Sequence, residues 1–284
     1  MSASWTTTDE APLFGEHLLL GAIFGDDDSH LATPLHYGEP HETAAFTEGC
    51  ALCDLSGMPG ILVSGQGADA FVAAACANRN LTVGECAFGA VVTGDGSVSS
   101  VPLVARTGDA EYLIWDATVR GLGLQPWLSF LSAIEQKGYR PFAQVKVEDV
   151  SDALVPLLLW GPQATSILAD YVQSSDQLPA AGTIANVRLD RIECLIARLP
   201  RYGEPCYLVL VPPAAARVLW RSLLSFVTVS PVGSQQLSRH ATAVMPWMEA
   251  TLASERLELA LEQLLEWELA RSEGGYVGAR ALEG

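Results

Sequence analysis

Apolar residues recur at helical spacing in PLFGEHLLLGAIFG (12–25), at Leu13, Phe14, His17, Leu18 and Gly21, and the run closes on glycine. That predicts an N-terminal helix, followed by a solvated turn at DDDSH (26–30). Short apolar runs at 61–63 and 90–92 predict buried strands, with a helix over about 67–77 between them. Thr93-Gly94-Asp95-Gly96-Ser97 predicts a hairpin turn, because Asp-Gly supplies the positive φ that a tight connection needs. The chain is expected to return as a strand over 98–104, with another at 112–116 and a helix over 119–137.

The second half of the chain, from about Val145, repeats the alternation. Strands are expected at 147–150, 157–160, 193–197 and 207–211. A helix over 163–172 follows Gly161-Pro162, where proline opens a helix without losing a hydrogen bond. Another over 214–226 places Val218, Leu219 and Leu223 on one face. Near the C-terminus a leucine stripe predicts a helix over 254–264, and period-two alternation predicts a strand over 265–269. Hairpin signals outnumber crossovers, so the expected class is α+β, with mixed or antiparallel sheets.

Composition narrows the function classes. Sixteen basic against thirty-three acidic residues give a net charge of −17, which disfavours nucleic acid and anionic bilayers as partners. No basic n-region with an apolar run opens the chain, and the longest apolar stretch, 154–160, is too short to span a bilayer. Six scattered cysteines suit a reducing cytoplasm rather than a disulfide framework. Cys50-Ala-Leu-Cys53 is compatible with redox chemistry or half a zinc site, but lacks a second pair, so structural cysteines are expected. His30, His36, His41 and Glu42 share no helical face, and no metal is expected there.

Seven segments, in order, resemble the aminomethyltransferase (glycine-cleavage T-protein) family. They are PLFGEHLLLGAIFG, PLHYGEPHETAAF (34–46), CDLSGMPGILVSGQGADAF (53–71), YLIWDATV (112–119), LLLWGPQATSIL (157–168), ARLPRYGEPCYLVLVPPAAARVLWRSLL (197–224) and GGYVGARAL (274–282). The resemblance implies a folate-binding fold of two similar α/β halves, here 1–144 and 145–284, without the family's C-terminal barrel. It also implies tetrahydrofolate as cofactor, and an amine, ether, sulfonium or carrier as the methyl or methylene donor.

The family's G-G-x-x-D-D stands here as Gly96-Ser97-Val98-Ser99-Ser100-Val101. The second aspartate, which in the family contacts the reacting folate nitrogen, is thus Val101, which has neither lone pair nor proton. The catalytic residue is left unassigned. Leu208 replaces a pterin-contacting glutamate, and the family's asparagine is Asp116. The resemblance implies Asp116, Phe88, Tyr202 and Glu204 as folate-binding residues. Asp116 either accepts from a pteridine amino group and ring N–H or caps the next turn; Phe88 either faces the folate or fills the core. Three readings follow: a tetrahydrofolate-dependent one-carbon transferase or demethylase-like protein, or a subunit of one, with a partner subunit in place of the barrel; a non-catalytic folate-binding or assembly protein; or a small subunit of a larger amine oxidase or demethylase, in which the fold serves as an interface.

Overall fold

The computed structural model describes residues 11–25, 33–38, 41–173, 177–200, 203–253 and 256–283. The turn expected at 26–30 lies outside them. The chain forms two compact units, each built from two stretches: residues 1–57 with 151–245, and 58–150 with 246–284. The two units are interleaved in sequence.

The first unit holds the strands β1 (Cys50–Asp54), β9 (Val155–Trp160), β10 (Thr183–Leu189), β11 (Ile192–Arg198), β12 (Cys206–Val211) and β13 (Val229–Pro231). They form one six-stranded sheet in the order β10-β11-β12-β9-β1-β13. All pairings are antiparallel except β1 with β13. β9 and β12 are buried at every position, as their unbroken apolar runs require of central strands. Leu157, Leu159, Tyr207, Val209 and Val211 share one core with residues of α5 (Ala164–Ala169) and α6 (Pro213–Leu223). Proline opens α6, and Ala216, Leu219, Trp220 and Leu223 bury one of its faces. Helices α1 (Phe14–Leu19), α2 (His41–Glu48) and α7 (Ser234–Val244) complete this unit.

The second unit holds the strands β2 (Gly60–Ser64), β3 (Cys86–Phe88), β4 (Val91–Val92), β5 (Val98–Ser100), β6 (Leu103–Gly108), β7 (Glu111–Trp115) and β8 (Lys146–Asp149). Five of them form a fully antiparallel sheet in the order β3-β6-β7-β2-β8, and β4 and β5 pair as a separate hairpin. Helices α3 (Ala68–Ala75) and α4 (Leu124–Ser132) lay Phe71, Val72, Leu124, Leu128 and Leu131 on Ile61, Val63, Val104 and Ile114. Residues 246–283 belong here too, with helices α8 (Met248–Ala253), α9 (Leu261–Glu266) and α10 (Ala279–Glu283). Val98 N–H donates to Leu257 O and Ala90 N–H to Leu269 O, both at 2.8 Å.

Four expected elements are corrected. The strand over 98–104 is two strands, because Pro102 lacks the N–H that would continue the ladder. The helix over 119–137 begins as a tight 3-10 turn, Val119–Gly123, before α4. The strand over 265–269 does not form. Leu265 and Glu266 finish α9, Leu269 N–H bonds back to Leu264 O, and Glu268 turns the chain at φ 56°. The helical spacing of Leu261, Leu264 and Leu265 outweighs the period-two alternation, and the helix expected from 254 is shortened at its start.

Candidate functional site

In the second unit one register row runs across the sheet: Phe88 opposite Leu103, Leu103 opposite Trp115, Trp115 opposite Gly60. At about 4.8 Å per strand, Phe88 lies roughly 10 Å from the end of β7. The next residue after that end is Asp116, which is 4% exposed. Its N–H donates to Pro59 O at 3.3 Å. Ser100 Oγ donates to Asp116 Oδ2 at 2.5 Å, and Thr118 N–H donates to Oδ1 at 2.7 Å. Asp116 therefore caps the following turn, as one reading of the sequence expected, and also receives a hydroxyl from a neighbouring strand end.

Burial pushes the Asp116 carboxyl above the usual carboxylate range, opposed by its two hydrogen bonds and by the nearby Arg120 guanidinium. Arg120 Nε donates to Thr251 O at 2.8 Å. The 3-10 turn passes directly over Asp116: a Cβ on Gly121 would lie 2.5 Å from Asp116 O and 3.1 Å from Asp116 Cβ, so only glycine fits. Trp247 packs on Phe88 with ring centroids 5.3 Å apart. Phe88 is half-buried, and Val101 is 7% exposed beside Ser100.

Chemically, Asp116 offers a carboxyl group with about four acceptor positions, of which Ser100 and Thr118 use two. With the Thr118 side chain also acting on the carboxyl, the remaining capacity is for a further N–H donor. The raised pKa lets the same group hold a proton closer to neutrality than an ordinary carboxyl. Of the other expected site residues, Glu204 is exposed and belongs to the first unit, and Tyr202 lies outside the described residues. Leu208 is buried on β12. Sequence reasoning saw Ser100 only as a missing aspartate and overlooked it as a donor; Arg120, four residues past Asp116, was also overlooked. Trp247 carries no local signal at all.

The first unit contains a second polar cluster, largely buried. His17 Nε2 and Asp54 Oδ2 are 2.9 Å apart with both side chains fully buried, and Tyr37 Oη is 2.7 Å from His17 Nδ1. Asp54 Oδ1 accepts from Ser56 N at 2.9 Å and Ser56 Oγ at 2.6 Å, which accounts for the Asp-x-Ser spacing. Burial first, then Asp54, pushes the Tyr37 phenol well above its ordinary range. The cluster pins α1 and residues 34–38 to β1. All six cysteines are free and buried. Burial raises Cys50, Cys76, Cys86 and Cys194 to about 12, which suits structural thiols rather than nucleophiles. Among the described residues no cluster of metal-ligating side chains occurs, and no helix is long and apolar enough to cross a membrane.

A mixed α+β scaffold with these motifs defines a class, and comparison with known proteins agrees. The GCVT N-terminal domain family matches residues 13–250. The chain belongs to this family. It is 31% identical over 224 residues to an aminomethyltransferase of Thermus thermophilus, covering 72% of this chain and 61% of that protein. To the aminomethyltransferase of Saccharopolyspora erythraea it is 29% identical over 219 residues, covering 75% and 57%. The chain thus spans about three-fifths of the length of these relatives. Its fold matches the glycine cleavage system aminomethyltransferase T of Bartonella henselae with a TM-score of 0.73 and 21% identity, over 96% of this chain and 73% of that one.

Proposed function

We propose that this chain binds tetrahydrofolate and takes part in one-carbon transfer, as the aminomethyltransferases it is similar to would suggest, with Asp116 as the group that engages the pteridine. The observation that carries the reading is the buried Ser100–Asp116 pair. A carboxyl group is kept at a strand end, at the cost of its burial, with acceptor capacity to spare. In the family pattern the acids occupy 100 and 101 and an asparagine occupies 116. Here a hydroxyl stands at 100 and the acid at 116, so one carboxyl group stays within this pair of positions. Asp116 would accept from the pteridine amino group and ring N–H, and Phe88 would offer an aromatic face nearby. The folate nitrogen is itself the nucleophile toward an electron-poor methyl or methylene carbon. The protein's part is to orient it, exclude water and manage one proton.

Calorimetric titration with tetrahydrofolate tests this. Micromolar binding by the native chain, weakened at least tenfold in Asp116→Ala and less in Ser100→Ala, supports the reading. Equal binding by all three proteins, or none by any, refutes it. A methyl-transfer assay with amine donors then separates a transferase from a folate-binding subunit. The partner that would complete such an enzyme, and a cytoplasmic setting, are parts of the same proposal.

A further inference from the structure

The first unit carries an open cavity of about 360 Å³ at the tip of the β10–β11 hairpin, within the roughly 300–1,000 Å³ span of small-molecule pockets. Three elements hold its walls in place. Asp190 N–H donates to Tyr171 O at 2.8 Å, and Gln173 Nε2 donates to Asp190 O at 2.9 Å. Val172 bridges Leu189, and Tyr171 Oη lies 2.8 Å from Ser222 Oγ on α6. The cavity is thus shaped before any ligand arrives.

Its lining combines apolar residues with a neighbouring acid and base. Leu189, Ile192, Val218 and Leu219 supply the apolar part, and Val218 is 63% exposed although it sits on a folded helix. Asp190 and Arg191 occupy the turn, with Asp190 at φ 53°. Neither side chain makes a hydrogen bond or ion pair among the described residues. An anion would meet Asp190 and the net charge of −17; a simple cation would meet Arg191. A zwitterion with an apolar body opposes neither: its carboxylate suits the guanidinium, its ammonium the carboxylate, and its side chain the apolar lining residues. We propose that this cavity binds a free α-amino acid with an apolar side chain, independently of the Asp116 site.

Saturation-transfer NMR on the full chain tests the proposal, with L-phenylalanine as probe and phenylacetate and phenethylamine as single-charge controls. For so small a ligand a Kd on the order of 1 mM is expected. Arg191→Gln, Asp190→Asn and Val218→Glu, all at exposed positions, should each weaken binding at least fivefold, while Asp116→Asn and added tetrahydrofolate should leave it unchanged. Absence of transfer at roughly ten times that concentration would overturn the proposal. So would phenylacetate or phenethylamine binding as well as L-phenylalanine, indifference to the three substitutions, or displacement by tetrahydrofolate.

Discussion

Replacing Asp116 by Asn separates the stability cost of the candidate site from its chemistry. The carboxylate is 4% exposed and is held by the Ser100 hydroxyl and by Thr118. In Asp116→Asn the side-chain oxygen keeps the Thr118 bond, and the Ser100 hydroxyl turns to accept from the new amide. The neutral variant makes the same number of bonds without a buried charge, a gain of about 1–3 kcal/mol at neutral pH. The direction with pH follows from linkage. Burial raises the folded-state pKa above the unfolded 3.8, so between those values the folded state binds more protons and stability falls as pH rises. Above the folded value the whole cost is present; below 3.8 it vanishes. Urea denaturation of both proteins from pH 4 to pH 8, read by tryptophan fluorescence, should show the variant more stable at pH 7–8. The two should converge toward pH 4. A variant less stable than the native chain at pH 7, or a difference that does not change with pH, would refute the reasoning.

Other substitutions probe the frame around the site. Arg271 donates to Ala73 O at 2.6 Å and to Cys76 O and Asn78 O at 3.0 Å, closing the C-terminus of α3, and its guanidinium lies 5.1 Å from the Tyr276 ring centroid. Arg271→Ala should cost about 3–4 kcal/mol by chemical denaturation; a loss below about 1 kcal/mol would show that water replaces the clamp. Gly161 has φ 147°, and a Cβ there would meet Gly49 O at 2.5 Å and Ala45 O at 2.9 Å. Gly161→Ala should therefore lower stability by at least about 2 kcal/mol, seen as a fall in Tm of several degrees. His240 stacks on Phe46 at 4.1 Å, and burial lowers its pKa below 6.5. The unfolded state then binds the proton first, so stability should be full above pH 6.5 and decline as pH falls below it. In His240→Phe that part of the profile should flatten, and an unchanged acid slope would assign the titration elsewhere.

Much of the fold was legible because it is written in local patterns. The unbroken apolar run of β9, the proline opening α6 and the Asp95-Gly96 turn each specify one conformation at short range. Elements held by distant partners were not. β1 reads as a cysteine pair until Leu158 and Ser230 are seen on either side of it, and β3 and β13, at three residues each, are too short for periodicity to register. The interleaving of the units is likewise a matter of long-range pairing. At the site, Asp116 was visible as an acid after an apolar run and Phe88 only through the family resemblance, and no residue spacing links Ser100 to Asp116 or Trp247 to Phe88. Those contacts exist only once β5, β7 and the segment after Met245 are in place.

The Ser100–Asp116 contact also constrains the order in which this chain can change. An aspartate placed at 100 while Asp116 remains would set two buried carboxyl groups within hydrogen-bond distance, and one of them would have to stay protonated. An asparagine at 116 first, then an aspartate at 100, meets no such barrier, because a neutral amide can donate to the incoming acid. The two positions are therefore coupled in energy as they are in space: the cost of an acid at one depends on the residue at the other.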